Sequence, residues 1–444
     1  MQKGNMMNHF IISTLLLFEL GAVAAAGGTQ ERHIALSDAL RMALENNPAV
    51  EAMHSQRRAA EARTREAMSG FLPQLSLNAS YTRYQEPNII LPIHQVGVFP
   101  PLDDQIYDAR VQLYLPIFDG GRTFASRRAA RAGMNESRVK EEETRIALTE
   151  RITQIFIQAQ EITDKENLIT ARVRSLQRRH EELSLLLGEG RVSPADLANV
   201  SAFLHGARAD SIEIAMKKTE LALRLGQLTG AGGELYPRLE DARALQKMGV
   251  LSDTLLLHRP GPQVRKAQAK VEQARAMKAL AVRSFLPDIS GFATYIYRSG
   301  ADLDLIGEWA AGVSVKLPLF TGGRRIAKVR QAGASLSAAE SNLRAAETAQ
   351  KTDLELALQQ LHSARQRRQR IGAAVTSKAT SVAAWQEMHQ AGRIPLSELL
   401  VRETELLQLQ IQERSLAWQE VLSALRYQAI AGTLPEVIEK ITVR

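Results

Sequence analysis

LPIFDGGR, residues 115–122, returns 202 residues later as LPLFTGGR, residues 317–324. Each phrase joins an apolar, strand-like approach to a Gly-Gly pair and an Arg that opens a long helix-periodic stretch. The same displacement carries Gly190-Arg191-Val192 onto Gly392-Arg393-Ile394, Asp196-Leu197 onto Glu398-Leu399, and Gly230 onto Gly432. Upstream the displacement is 214: FLPQLSL at 71–77 matches FLPDISG at 285–291, and Pro48 matches Pro262. The first copy therefore carries 12 extra residues between its FLP and its GGR. Separated markers do not keep one register by chance, so the chain is an internal duplication.

Within each copy the hydrophobic period switches. After FLP, apolar residues fall at every second position. They are Leu75, Leu77, Ala79 and Tyr81, then Tyr107, Ala109, Val111, Leu113 and Leu115. The second copy repeats this with Ile289 to Tyr297 and with Trp309 to Leu317, and polar residues such as Ser76, Asn78, Arg110, Gln112, Ser290 and Lys316 fall between. Such alternation fits a half-buried strand on a soluble core, and equally a barrel strand facing lipid on one side and a lumen on the other. After GGR the period becomes helical for about 68 residues, with Ile152, Ile155, Ala159, Ile162, Ile169, Val173, Leu176, Leu183 and Leu187 on a 3-4 spacing. A helix of that length is roughly 100 Å long, longer than a globular core needs, and reads as a conduit or stalk.

The punctuation agrees. Pro73 and Pro287 bias the preceding residue out of helix, and Gly120-Gly121 and Gly322-Gly323 supply the backbone freedom to pass from strand to helix. Gly190 and Gly392 break the long helices at their far ends, where Ser193 and Ser397 are placed to begin the next ones. The extra residues of the first copy place the loops between paired strands at 86–106 and 299–308.

Composition narrows the class. The 444 residues are rich in helix formers and poor in aromatics (5%), and no apolar run after residue 26 reaches the roughly 18 residues of a spanning helix. Residues 1–26 read as a signal peptide: Lys3, an apolar Phe10–Leu20 and an Ala-x-Ala cleavage pattern, with Glu19 as a blemish. The chain has no cysteine, which removes disulfides, thiol catalysis, thiolate metal sites and a lipid-anchoring Cys. The net charge is +8, and the Arg residues read as interleaved with Glu along solvated helix faces. The cluster Arg365, Arg367, Arg368 and Arg370 lacks the neighbouring aromatics that stack on bases, so no nucleic acid partner is expected. His180-Glu181 starts a zinc-helix pattern, but position 184 is Ser and the second ligand is missing. There is neither phosphate loop nor nucleophile motif, so neither an enzyme nor a cofactor is expected.

The opening ALSDALRMALENNPAV at 35–50, the two FLP junctions, the two LP-x-F-x-GGR junctions and the two far turns GRVSPADL and GRIPLSEL resemble the TolC family of outer membrane efflux proteins. The likeness runs from about residue 34 to 432. It implies a mainly α fold with a β-barrel portion. Long antiparallel helical hairpins would form a periplasmic α-barrel, and four strands per protomer would contribute to a 12-stranded trimeric transmembrane β-barrel. Closure demands that assembly independently, since strand edges cannot be left unpaired in lipid and four strands cannot enclose a conducting lumen.

The domain plan expected is a signal peptide (1–26), a first repeat (34–230, with strand pair 72–119 and helical hairpin 122–230), a linker and equatorial segment (231–261), a second repeat (262–432, with strand pair 286–320 and hairpin 324–432) and a tail (433–444). The function implied is a passive exit duct in the cell outer membrane. The partners implied are a homotrimer, outer membrane lipid, a periplasmic adaptor and an inner membrane transporter of RND or ABC type. The competing class, a periplasmic adaptor or coiled-coil scaffold, would have one hairpin flanked by compact β domains, whereas two hairpins and two strand pairs are present.

By the same resemblance, Gly190, Arg191, Val192 and Ser193, with Gly392, Arg393, Ile394 and Pro395, form the tip that meets the adaptor. Asp196 and Glu398 fall where the family places acidic gate residues, with helix capping as the plainer reading. The family's second acidic ring is Val401 here, its gating tyrosine matches His389, and its closing arginine matches Ile394, with Arg393 beside it.

Overall fold

The computed structural model describes residues 31–90, 97–249, 260–303 and 306–442, so the signal peptide lies outside the described residues. Among these residues the chain orders as β1 (His33–Ile34), α1 (Leu36–Asn46), α2 (Pro48–Ser69), β2 (Gln74–Ile89), β3 (Leu102–Phe118), α3 (Arg122–Gly188), α4 (Pro194–Thr229), β4 (Tyr236–Pro237) and α5 (Leu239–Gly249). It continues as α6 (Pro262–Arg283), β5 (Asp288–Ser299), β6 (Ile306–Lys316), α7 (Arg324–Gln390), α8 (Leu396–Ala431) and α9 (Leu434–Thr442). The two copies thus share one order: short helix, strand pair, a helix of 67 residues and a returning helix of 36.

Punctuation residues act as their chemistry dictates. Gly121 and Gly323 occupy the N-caps of α3 and α7 at φ +74° and +76°, a region that favours glycine. Gly120 has a second reason: a Cβ there would meet the Leu286 Cβ at 2.5 Å. The opening helix is split at Asn47-Pro48, where the Asn47 side chain accepts from the Ala49 N–H at 2.9 Å and donates to the Leu228 carbonyl.

Strands β2, β3, β5 and β6 form one antiparallel sheet in that order, leaving one edge of β2 and one of β6 without partners. The register puts Leu77, Val111, Tyr295 and Trp309 in one row, and Leu75, Leu113, Ala293 and Ala311 in the next. That face is apolar and bare: Leu75 is 72% exposed, Leu77 70%, Trp309 76%. The opposite face carries Ser76, Gln112 and Thr294 in one row, and Asp108 pairs there with Arg298 at 2.8 Å. The alternation is therefore that of a strand between lipid and lumen, not of a strand half-buried on a soluble core. Tyr81 and Tyr107 meet at 5.0 Å and Tyr295 and Tyr297 at 4.8 Å toward the loop end. Ten residues separate Tyr107 from Ile117 on β3, which spans about 25 Å in a strand tilted by about 40°, the height of a barrel's apolar band.

The first loop is shorter than the sequence suggests. Strands β2 and β3 continue to Ile89 and from Leu102, across a register shift between Arg83 and Asn88. Tyr84-Gln85-Glu86-Pro87 breaks the alternation there, and a proline cannot donate to the ladder. Part of each loop lies outside the described residues.

The main core sits midway along the helices. Ile152, Phe156 and Ile157 of α3 are fully buried against α1, α5, α8 and α9, with Leu225, Leu235, Leu245, Leu434 and Ile438. A second cluster near the far ends joins Leu176 of α3, Val200 and Leu204 of α4 and Leu400 of α8, so the two hairpins lie against each other there.

Candidate functional site

The far ends of the two hairpins are built alike. In the first, the Arg191 N–H donates to the Leu186 carbonyl at 2.9 Å and the Gly190 N–H to Leu187 at 3.0 Å, with Gly190 at φ +71°. In the second, Arg393 donates to Met388 at 2.9 Å and Gly392 to His389 at 2.8 Å, with Gly392 at φ +70°. Both are Schellman closures, which require the left-handed conformation. A Cβ on either glycine would meet nothing within 4 Å, so backbone conformation alone calls for glycine.

The next helices start differently. Ser193 caps α4: its hydroxyl accepts from the Asp196 N–H at 3.1 Å and donates to the Asp196 carboxylate at 2.8 Å, with Pro194 at the first helical position. On α8 the N-cap is Pro395, without a side-chain cap, and Ser397 lies inside the first turn, contrary to the expectation that Ser397 begins the helix. Pro395 takes the N-cap place because its fixed φ fits the extended residue there (φ −71°).

Asp196 is thus engaged by its own helix start. Glu398 is only loosely held, its carboxylate 3.7 Å from Arg402 one turn on. Arg402 also faces Glu405 at 3.3 Å and lies over the Trp385 ring at 5.2 Å. His389 stays within its own turn, with Nδ1–H donating to the Ile394 carbonyl at 3.1 Å. Arg191 reaches Glu189 at 3.1 Å. Val192 is half-buried, and Ser193, Arg393 and Pro395 are exposed.

What the sequence did not reveal is the ionic contact behind the tips. Glu403 of α8 receives Arg172 at 2.6 Å and Arg179 at 2.7 Å, both from α3, and Gln386 of α7 at 3.3 Å. Arg172 also donates to the Leu400 carbonyl and the Thr404 hydroxyl. Burial would raise the Glu403 carboxyl, but the hydrogen bonds and charge of Arg179 and Arg172 outweigh it and hold it below its ordinary value. Arg172 and Arg179 stand seven residues apart, beside the apolar seam of Ile169, Val173, Leu176 and Leu183, a spacing that puts both on one helix face but does not point to Glu403.

A four-stranded sheet with a bare apolar face, carried on paired 67-residue helices, defines an outer membrane channel with a periplasmic helical tube. The chain belongs to the outer membrane efflux protein family, whose description matches residues 39–231 and 251–432. It is 21% identical over 337 residues to the outer membrane protein TolC of Vibrio cholerae, covering 73% of this chain and 74% of that one. Among solved structures it is similar to the Campylobacter jejuni CmeC outer membrane channel (TM-score 0.74, 18% identity, 92% and 89% of the two chains). It is equally similar to the outer membrane protein VceC of Vibrio cholerae (TM-score 0.74, 19% identity, 90% and 96%). The chain is therefore an efflux duct of the outer membrane and not an adaptor or scaffold.

Proposed function

We propose that three copies of this chain close one channel, β2 of each pairing with β6 of the next to make twelve strands, and that this channel is the passive exit of a three-part export machine. The observation that carries the reading is the bare apolar sheet with two open edges. In lipid those edges must be paired, and each copy can offer one β2 and one β6.

Substrate is driven by an inner membrane transporter of RND or ABC type through a periplasmic adaptor that docks on Gly190–Ser193 and Gly392–Pro395. No bond is made or broken on this chain. Three Glu398 carboxylates ring the aperture and favour cations, as charged rings do. Asp196 contributes a second carboxylate, committed in part to the Ser193 hydroxyl. His389 fixes the turn that carries Ile394 and Pro395, so it shapes the aperture without lining it.

The test is reconstitution of the purified full chain in a planar lipid bilayer. Discrete ohmic conductance steps are expected. A protein that extracts from the outer membrane but never conducts would overturn the reading.

A further inference from the structure

The positive charge of this chain is not spread evenly. The windows 122–135, 275–283 and 324–339 hold eleven Arg and Lys and no Asp or Glu, although the net charge of the whole chain is +8. These windows are the sheet-proximal ends of α3, α6 and α7. The excess charge therefore sits in a collar directly below the barrel, contrary to the even Arg–Glu interleaving read from the sequence.

On α3 the direction of that charge can be worked out. Arg122 pairs with Asp288, which stands on the polar face of the sheet opposite Lys316. Two residues along a helix is a rotation of about 200°, so Phe124 points to the other side, the side of the bare apolar face. Phe124 is 61% exposed and meets Phe71 edge-on at 4.7 Å. Arg127, Arg128 and Arg131 follow it at helical spacings of three, four and seven, which places them on the same face within about 10 Å along the axis. Thr123, Ser126, Ala130, Gly133 and Ser137 of α3 line a separate groove, shared with Ala59 and Arg63 of α2 and Gln273 of α6.

Phe124, Arg127, Arg128 and Arg131 line one groove of about 540 Å³ with Ala269 and Glu272 of α6. Glu272 lies 3.8 Å from Arg275 of its own helix. The three arginines are exposed and have no hydrogen-bond or ion-pair partner among the described residues. Helices α2 and α6 pack on the two flanks of α3 within the same chain, so a neighbouring copy does not cover this groove. The second repeat keeps the arrangement in outline, with Ile326 (53% exposed) and Arg330 where the first has Phe124 and Arg128.

We infer that this groove binds the headgroup of an anionic phospholipid of the periplasmic leaflet, with acyl chains against Phe124 and the phosphate on Arg127, Arg128 and Arg131. The site rests on the outer membrane reading and goes beyond it by assigning the lipid class and the residues. Guanidinium groups bind phosphate oxygens in a bidentate fork, and each cation near an anionic surface adds to binding. A lipid is favoured over a free anion because the cationic pocket opens onto an exposed aromatic at the membrane-facing side. The unpaired arginines are otherwise left with no role in the protein.

The test is native mass spectrometry of the assembled full chain in detergent, titrated with phosphatidylglycerol or with phosphatidylcholine. The wild type should retain phosphatidylglycerol in preference, and retention should weaken at high ionic strength. The Arg127→Gln/Arg128→Gln/Arg131→Gln variant should bind phosphatidylglycerol at least about tenfold more weakly and phosphatidylcholine unchanged. Arg131→Gln alone should weaken it about threefold if the triple variant fails to assemble. Arg367→Gln/Arg370→Gln, far down α7, should change nothing. Equal retention of the two lipids, an Arg131 variant indistinguishable from wild type, or displacement of phosphatidylglycerol by equimolar inorganic phosphate would each overturn the assignment. A failure of the channel reading shows separately, as a wild type that does not conduct.

Discussion

Arg172 of α3 and Glu403 of α8 meet at 2.6 Å, with side chains only 9% and 10% exposed, and so tie the first hairpin to the second just behind the tips. The pair gives α3 and α8 a fixed register near their far ends. Replacing Glu403 with Gln would leave Arg172 buried without a counter-charge, a loss of about 3 kcal/mol. Thermal unfolding of the detergent-solubilised channel should register it. The Glu403 carboxyl is held low, so its contribution is complete above the ordinary carboxylate range and is lost only as pH falls through the lowered value. The gap between wild type and variant should therefore persist at mildly acid pH and close only in stronger acid. An equal melting point at neutral pH would show that the contact is not stabilising.

Docking at the tips predicts a separation of export from assembly. Arg393→Glu reverses an exposed charge that has no side-chain partner among the described residues, so folding should be unaffected. Adaptor binding should weaken by tenfold or more, the scale of a hot-spot arginine at about 1.4 kcal/mol per tenfold. Gly392→Asp adds a negative charge at φ +70°, whereas Gly392→Asn should be milder, since it meets the same backbone conformation without the charge. Export measured in a strain that depends on this channel should fall for Arg393→Glu. Unchanged export would remove the docking role.

Glu398 and Asp196 make a contrast that conductance can read. Glu398 has one loose partner, so Glu398→Gln should make the channel less cation-selective, moving the reversal potential under a salt gradient toward zero. Asp196 accepts from the Ser193 hydroxyl in the first turn of α4, so Asp196→Asn should cost about 0.5 kcal/mol in helix stability and shift selectivity less. A reversal potential that Glu398→Gln leaves unmoved would reduce that residue to a helix-start charge.

Architecture was legible in the sequence because it is written in periods and punctuation. The alternation from Leu75 to Tyr81 and the 3-4 seam from Ile152 to Leu187 each imprint one geometry, and the repeat supplied a second reading of both. Phe156 and Ile157 escaped, because midway along α3 the helix is surrounded on more than one side and a single stripe no longer describes what is buried. The loop bounds differ from the sequence reading where Pro87 interrupts a strand pairing that resumes beyond it. The ion pairs of Arg172, Arg179 and Glu403 were invisible because they join residues more than 220 positions apart, and no local spacing encodes a partner at that distance. At Ser397 the repeat itself misled: Ser193 does cap its helix, but the second copy has Pro395 in that place.

Closure of the barrel by three copies is the central claim, and the absence of native cysteine makes it directly measurable. One cysteine placed on the outer edge of β2, at Leu77, and one on β6, at Val313, lie at opposite edges of a single sheet with β3 and β5 between them. A short bismaleimide crosslinker applied to outer membranes can then join them only between copies. The predicted product series on a denaturing gel runs monomer, dimer, trimer and stops, since a closed ring leaves no free edge. Crosslinking that yields monomer alone, or a ladder that continues past three, would contradict the account.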